Sequence, residues 1–328
     1  MLFLSLAAIG LPAGSLVAGR YVARALGAGV GVTVLVGVSV LLAALAANLA
    51  GVRTTTRVQQ VGSWALVAMV VVLLASAATG RGAGLSVVAP NMDGLGVLLP
   101  GVVLAFWAFA GFENLTFLSR ELHRPERDFL PVSATALGLY GLLTVLLTVA
   151  LATRVPRGQV DRVVGLLQLA RTVQPRQAVV AAVTVIAFAT MTLNAAAWVW
   201  GISRLVAAAA DAAILPHALA RTGDRGVPRR AVLLLGGLFA VTLTVLGLVP
   251  GILVDAVAAA GAMFILLYLL CITSYLRVRG PSPRSVANLL LLVVLAASLV
   301  RSGWRSVYGV VVLLLALVAQ FLQRRRGR

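Results

Sequence analysis

The residues with the most evident chemistry are a glycine and a carboxylate two positions apart. They are Gly111 and Glu113, inside the stretch from 98 to 127 that reads LLPGVVLAFWAFAGFENLTFLSRELHRPER. A charged side chain at bilayer depth costs about 2.5–3.5 kcal/mol on insertion scales, so a glutamate there faces a cavity or a partner rather than lipid. Proton exchange is the chemistry open to it. Gly111, flanked by Phe109, Ala110 and Phe112, is where a helix can unwind and turn backbone groups toward a ligand. The same residues also permit a plainer role, with Glu113 accepting a hydrogen bond from a neighbouring helix. Further along, Thr190, Thr192 and Asn194 form a polar patch followed by Trp198 and Trp200. Taken alone, such polar residues link helices at about 0.6 kcal/mol each, and the tryptophans pack or mark the interface belt.

Catalysis would need a nucleophile with its base, or paired carboxylates, and Glu113 has no acidic neighbour in its apolar run. The single Cys271 and the two histidines, His123 and His217, make neither a disulfide nor a metal site. No glycine-rich lysine loop for nucleotides is present. The expectation is a protein that is not an enzyme and uses no cofactor or metal.

The elements that must position these residues follow from composition. With 61% hydrophobic residues, 11% charged and a mean hydropathy of +1.05, the chain reads as an all-α polytopic membrane protein. Its net charge of +18 comes from 27 arginines and no lysine. In a soluble chain that would suggest nucleic acid; in loops between apolar spans it suggests an anionic bilayer surface instead. Apolar runs near the length that crosses a bilayer predict about ten transmembrane helices, over 2–25, 30–50, 61–78, 98–118, 132–153, 179–208, 231–249, 254–276, 286–300 and 307–322. The loop after the fourth, SRELHRPERDF, is expected to hold a short surface helix ending near Pro125. The amphipathic piece VDRVVGLLQLAR is expected along the membrane interface. Asp255 suits a helix first turn. With the N-terminus inside, 17 of the arginines fall in inner loops and 10 in outer ones, which places both termini in the cytoplasm.

The run FWAFAGFENLTFLSRELHRPERDFLPVS resembles the sixth helix and following loop of the amino acid–polyamine–organocation (APC) transporter family, whose pattern there is Gly-Phe-Glu, then Glu, then Pro-Glu-Arg. DAAILPHALARTGDRGVPRRA resembles the segment after that family's eighth helix. LFLSLAAIGLPAG, ANLAGVRTTTRVQQV, GAMFILLYLLCI and GWRSVYGVVVLL are similar to the family's bacterial exporters of methionine and branched-chain amino acids. The resemblance implies a leucine-transporter-type inverted-repeat fold in a single transmembrane transporter domain, 1–328. Within it, 1–78 is the remainder of the first repeat, 96–276 the second repeat, and 285–323 two C-terminal helices. It places Met1 at the start of family helix three, so family helices one and two have no counterpart.

Carried over residue by residue, the resemblance implies substrate contacts from Phe106, Trp107, Ala108, Phe109, Ala110 and Gly111, with Thr192 and Asn194 near the central cavity. Trp107 would form an aromatic wall, and Glu113 would be the coupling or gating acid. The implied function is secondary active transport, as a permease or exporter, of a neutral amino acid such as methionine or a branched-chain one. The proton is the implied coupling ion, and the bacterial cytoplasmic membrane the location. Cavity-side candidates Phe106, Trp107, Phe109, Phe112 and Met263 offer no second charge for a cationic substrate. Some proton-coupled members carry a lysine on family helix five, which this chain lacks. The alternative is an inactive N-terminally truncated fragment or a non-transport membrane partner.

Overall fold

The structure is a computed structural model that describes residues 2–51, 56–79, 92–112, 124–156, 158–223, 226–249, 251–279 and 282–326. Among them there is no strand. In chain order the helices are α1 (Leu2–Leu26), α2 (Val30–Leu49), α3 (Thr56–Thr79), α4 (Met92–Ala108), α5 (Pro125–Arg154), α6 (Gly165–Val173) and α7 (Gln177–Asp211). A 3-10 turn, His217–Leu219, leads to α8 (Arg229–Leu248), α9 (Leu253–Arg279), α10 (Pro283–Arg301) and α11 (Trp304–Arg326).

Helices lie over the apolar stretches expected to cross the bilayer, in the fourth of them only as far as Ala108, and the protein is a polytopic all-α membrane protein. Seven of the helices, α1, α2, α3, α5, α7, α8 and α9, are individually long and apolar enough to span. The apolar part of α4, Leu98–Ala108, is shorter. The last two, α10 and α11, qualify only as a pair, bent by 112° at Ser302 and Gly303. At 35 residues, α7 is about 52 Å long at 1.5 Å per residue, well beyond the roughly 30 Å of hydrocarbon.

One local expectation is corrected. Pro125 begins a helix rather than ending one: it occupies the first turn of α5, where its missing N–H costs nothing, and Glu126 and Asp128 sit in the same turn. The rest of the expected surface helix, 119–123, lies outside the described residues. The amphipathic piece after α5 does more than lie on an interface. Helix α6 buries Leu167, Leu169 and Ala170, with Leu169 in a cluster with Ala77 of α3 and Ala150 of α5. Its approach is held by the Asp161 carboxylate, which accepts from the Val163 and Val164 amides at 2.9 and 3.2 Å and pairs with Arg24 at 3.5 Å.

The chain divides into two compact units that interleave in sequence. The first comprises 1–10, 88–110 and 248–328. Its centre is α9, whose run of alanines from Ala256 to Ala262 is buried and receives α4, α10 and α11. A Cβ at Gly261 would overlap the Val103 carbonyl, so α4 and α9 meet backbone to backbone. Asp255 does sit in the first turn of α9, and it also accepts from the Arg305 guanidinium at 2.7 Å, tying α11 to that end. The second unit comprises 11–87 and 111–247. There α7 packs on α2, α3 and α6, while α1 and α2 cross closely enough that a Cβ at Gly19 would overlap the Thr33 carbonyl.

Helix ends that strict alternation assigns to one side are joined to each other. Arg154 donates to the Ala77 carbonyl, Gln174 to Ser76 at 3.2 Å, and Arg171 to the Arg24 carbonyl at 2.6 Å, all within the second unit.

Candidate functional site

Helix α4 stops at Ala108, although apolar residues continue through Phe112. The Phe109 amide still reaches the Ala105 carbonyl at 3.2 Å, but the Ala110 amide turns back to Trp107 at 3.1 Å, a tighter three-residue closure. Gly111 then takes φ +116°, a conformation that a side chain disfavours, and Phe112 follows in a 3-10 turn. Helix α4 therefore ends short of Gly111, in a turn over Phe109, Ala110 and Gly111, and the remainder of the span expected to be broken there, 113–118, lies outside the described residues. A helix that ends within a bilayer leaves its last carbonyls to be satisfied by protein or by a protein-lined space, since lipid cannot do so. Glu113 lies outside the described residues.

The segment divides where the two units divide, between Ala110 and Gly111. In the first unit Phe106 stacks edge-on against Tyr268, with centroids 5.3 Å apart and planes at 81°. The Trp107 indole nitrogen is 3.5 Å from where a Cβ would stand on Gly10 of α1, so the ring lies over a residue without a side chain. Ala108 is exposed; Phe109 and Ala110 are half-buried. Met263 does not line a space here. It is fully buried on α9, beneath Gly309 of α11, and belongs to the packing.

In the second unit the partner of the turn is Trp198. Its ring carbon Cζ2 is 3.7 Å from where a Cβ would stand on Gly111, and the residue is buried. Phe112 faces Tyr140 of α5 with ring centroids 6.0 Å apart. Trp200, two residues on, behaves as an outer residue: it is exposed, with the Arg204 guanidinium 4.0 Å above its ring.

The two α7 residues implied by the resemblance are separated by the structure. The Thr192 hydroxyl donates to the Phe188 carbonyl of its own helix at 2.8 Å, whereas Asn194 is exposed and lines a cavity with Thr190. Residues i and i+4 share a helix face, and Thr192 is out of phase with both.

Sequence reasoning passed over Asn48. It is buried, and its amide donates to Ala44 of α2 at 2.8 Å and across to Ala196 of α7 at 3.0 Å, two residues before Trp198. The signal was an asparagine inside the apolar run AANLAG. Among the described residues no three of His, Cys, Asp and Glu gather as a metal site would require.

The geometry is that of an apolar helix ending in a turn at a glycine with positive φ, on which Trp198 packs. The sequence profile of a family described as amino acid permeases matches residues 1–326. A curated relative, the uncharacterized amino acid permease YecA of Bacillus subtilis, strain 168, is 28% identical over 234 residues, covering 69% of this chain and 53% of its own length. The chain thus spans about half the length of the curated relative it matches. On that match over nearly its whole length, the chain belongs to the amino acid permease family, within the APC transporters.

Proposed function

We propose that the chain is a secondary active transporter of neutral amino acids such as methionine or the branched-chain ones, working as a proton-coupled exporter in the bacterial cytoplasmic membrane. Both termini are cytoplasmic in this reading, as the arginine bias suggests. The carrying observation is the turn that ends α4, where Gly111 has φ +116° next to Trp198, in a chain of a permease family. The proposed substrate contacts are Phe106, Trp107, Ala108, Phe109, Ala110 and Gly111, whose side chains are aromatic, small or absent. Such a lining suits an aliphatic or thioether side chain and has no counter-charge for lysine or glutamate. Met263 and Thr192 drop out of the proposed lining, since one is packed beneath α11 and the other is satisfied within α7. In the inverted-repeat reading, 1–78 and 96–276 form the two repeats, with 285–323 outside them.

The test is flux in vesicles carrying the purified chain, with labelled methionine, leucine, lysine and glutamate compared in turn. Methionine and leucine should move above protein-free vesicles and respond to an imposed proton gradient, while lysine and glutamate should not. Flux of the charged amino acids at equal rates would overturn the substrate class. No flux of any of them would favour a non-transport membrane partner.

A further inference from the structure

Two helices of the second unit each offer a polar pair, one turn apart, to the same space. On α3 the pair is Gln59 and Ser63; on α7 it is Thr190 and Asn194. Together with Gly62, Leu193 and Ala197 they line a cavity of about 250 Å³. Gly62 allows the helices to come this close, since a Cβ there would meet Leu193 at 3.4 Å and Thr190 at 3.9 Å. The Thr190 hydroxyl spends its proton on the Ile186 and Ala187 carbonyls of its own helix, at 2.8 and 3.1 Å, which leaves its oxygen to the cavity as an acceptor. Gln59, Ser63 and Asn194 are exposed, and add two carboxamides and a hydroxyl. No lining residue carries a formal charge.

Four polar groups converging on one space, beside Leu193 and Ala197 that can satisfy none of them, favour something polar in it. Water can fill part of it. A zwitterion matches the set better: an ammonium meets the Thr190 oxygen and the carboxamide oxygens, and a carboxylate meets the carboxamide N–H groups and the Ser63 hydroxyl. A side chain with a further charge would enter without a partner, at the cost of desolvating it. The volume lies just below the roughly 300–1,000 Å³ of drug-sized pockets, a size for a small amino acid.

We propose that the cavity between α3 and α7 is a solute subsite separate from the turn that ends α4, in which Gln59, Ser63, Thr190 and Asn194 hold a neutral zwitterionic amino acid through uncharged hydrogen bonds. The identity of the solute rests on the transport reading above, but the site is tested by occupancy rather than by flux.

The experiment uses the whole chain in vesicles, with Cys271→Ser removing the natural exposed thiol and Ser63→Cys placing a reactive one in the cavity. The rate of modification by a small methanethiosulfonate is read with and without methionine, lysine or glutamate. Methionine at about ten times its Kd should slow modification about tenfold, with lysine and glutamate leaving it unchanged. Adding Asn194→Leu, or Gln59→Met where the first variant folds poorly, should abolish the protection. Adding Trp107→Ala at the end of α4 should leave it in place. An unprotected or unreactive thiol overturns the subsite, as does equal protection by lysine, or protection that vanishes with Trp107→Ala. Protection in a chain that shows no flux keeps the subsite and removes the transport reading; flux without protection does the reverse.

Discussion

At the scale of the residue, Glu113 is the acid placed by sequence inside the apolar run, and its proposed role depends on titration rather than on shape. Glu113→Gln keeps the size and most of the hydrogen bonding while removing the exchangeable charge. In the transporting chain this substitution should leave methionine binding within about threefold and flatten the dependence of flux on pH, measured between mildly acidic and neutral conditions. An unchanged pH profile, with folded yield lost only in Glu113→Ala, would make the residue a structural acceptor. The glycine two positions earlier was legible in the sequence because a residue without a side chain, set among phenylalanines in an apolar run, has little packing reason to be there. Its neighbour in space, Trp198, was not legible, since a tryptophan near a helix end reads equally well as packing or belt. Thr192 and Asn194 looked alike as letters. Helical phase separates them, because only Asn194 shares a face with Thr190.

At the scale of the element, ten apolar stretches could be placed from hydropathy alone; among the described residues seven carry helices long enough to span, α10 and α11 qualify only as a bent pair, and in 98–118 the helix is described only to Ala108. What periodicity did not carry was how they begin, bend and meet. Pro125 was ambiguous because proline both stops helices and starts them, and the acidic first turn decides for a start. The 112° bend between α10 and α11 comes at Gly303, which has φ +62°, and no hydropathy window detects an angle. Close helix crossings are likewise set by single small residues. Gly261→Ala should be poorly tolerated despite adding one methyl, because that methyl would overlap the Val103 carbonyl of α4 rather than a movable side chain. A loss of about 1–3 kcal/mol in resistance to unfolding in detergent is expected, the usual cost of overpacking. Gly237→Ala on α8, where nothing lies within 4 Å, serves as the control and should be close to neutral. Equal stability of the two variants would show that α4 and α9 are not packed backbone to backbone.

At the scale of the molecule, contacts gather the helices into two compact units that do not follow sequence order, and the chain passes from one to the other between Ala110 and Gly111. The turn that ends α4 therefore lies where the chain passes between units, and the proposed function rests on its backbone conformation. Gly111 has room for a methyl group, since a Cβ would come no closer than 3.7 Å to Trp198, but its φ of +116° suits glycine alone. Gly111→Ala consequently tests the conformation without filling the site, at a backbone cost of about 1–3 kcal/mol. The decisive measurement is methionine flux in vesicles carrying equal amounts of folded wild-type and Gly111→Ala chain. A loss of at least about tenfold in flux, with folded yield and helix content kept, is the predicted result. Undiminished methionine flux in the Gly111→Ala chain would contradict the account, since transport would then not depend on the turn that ends α4.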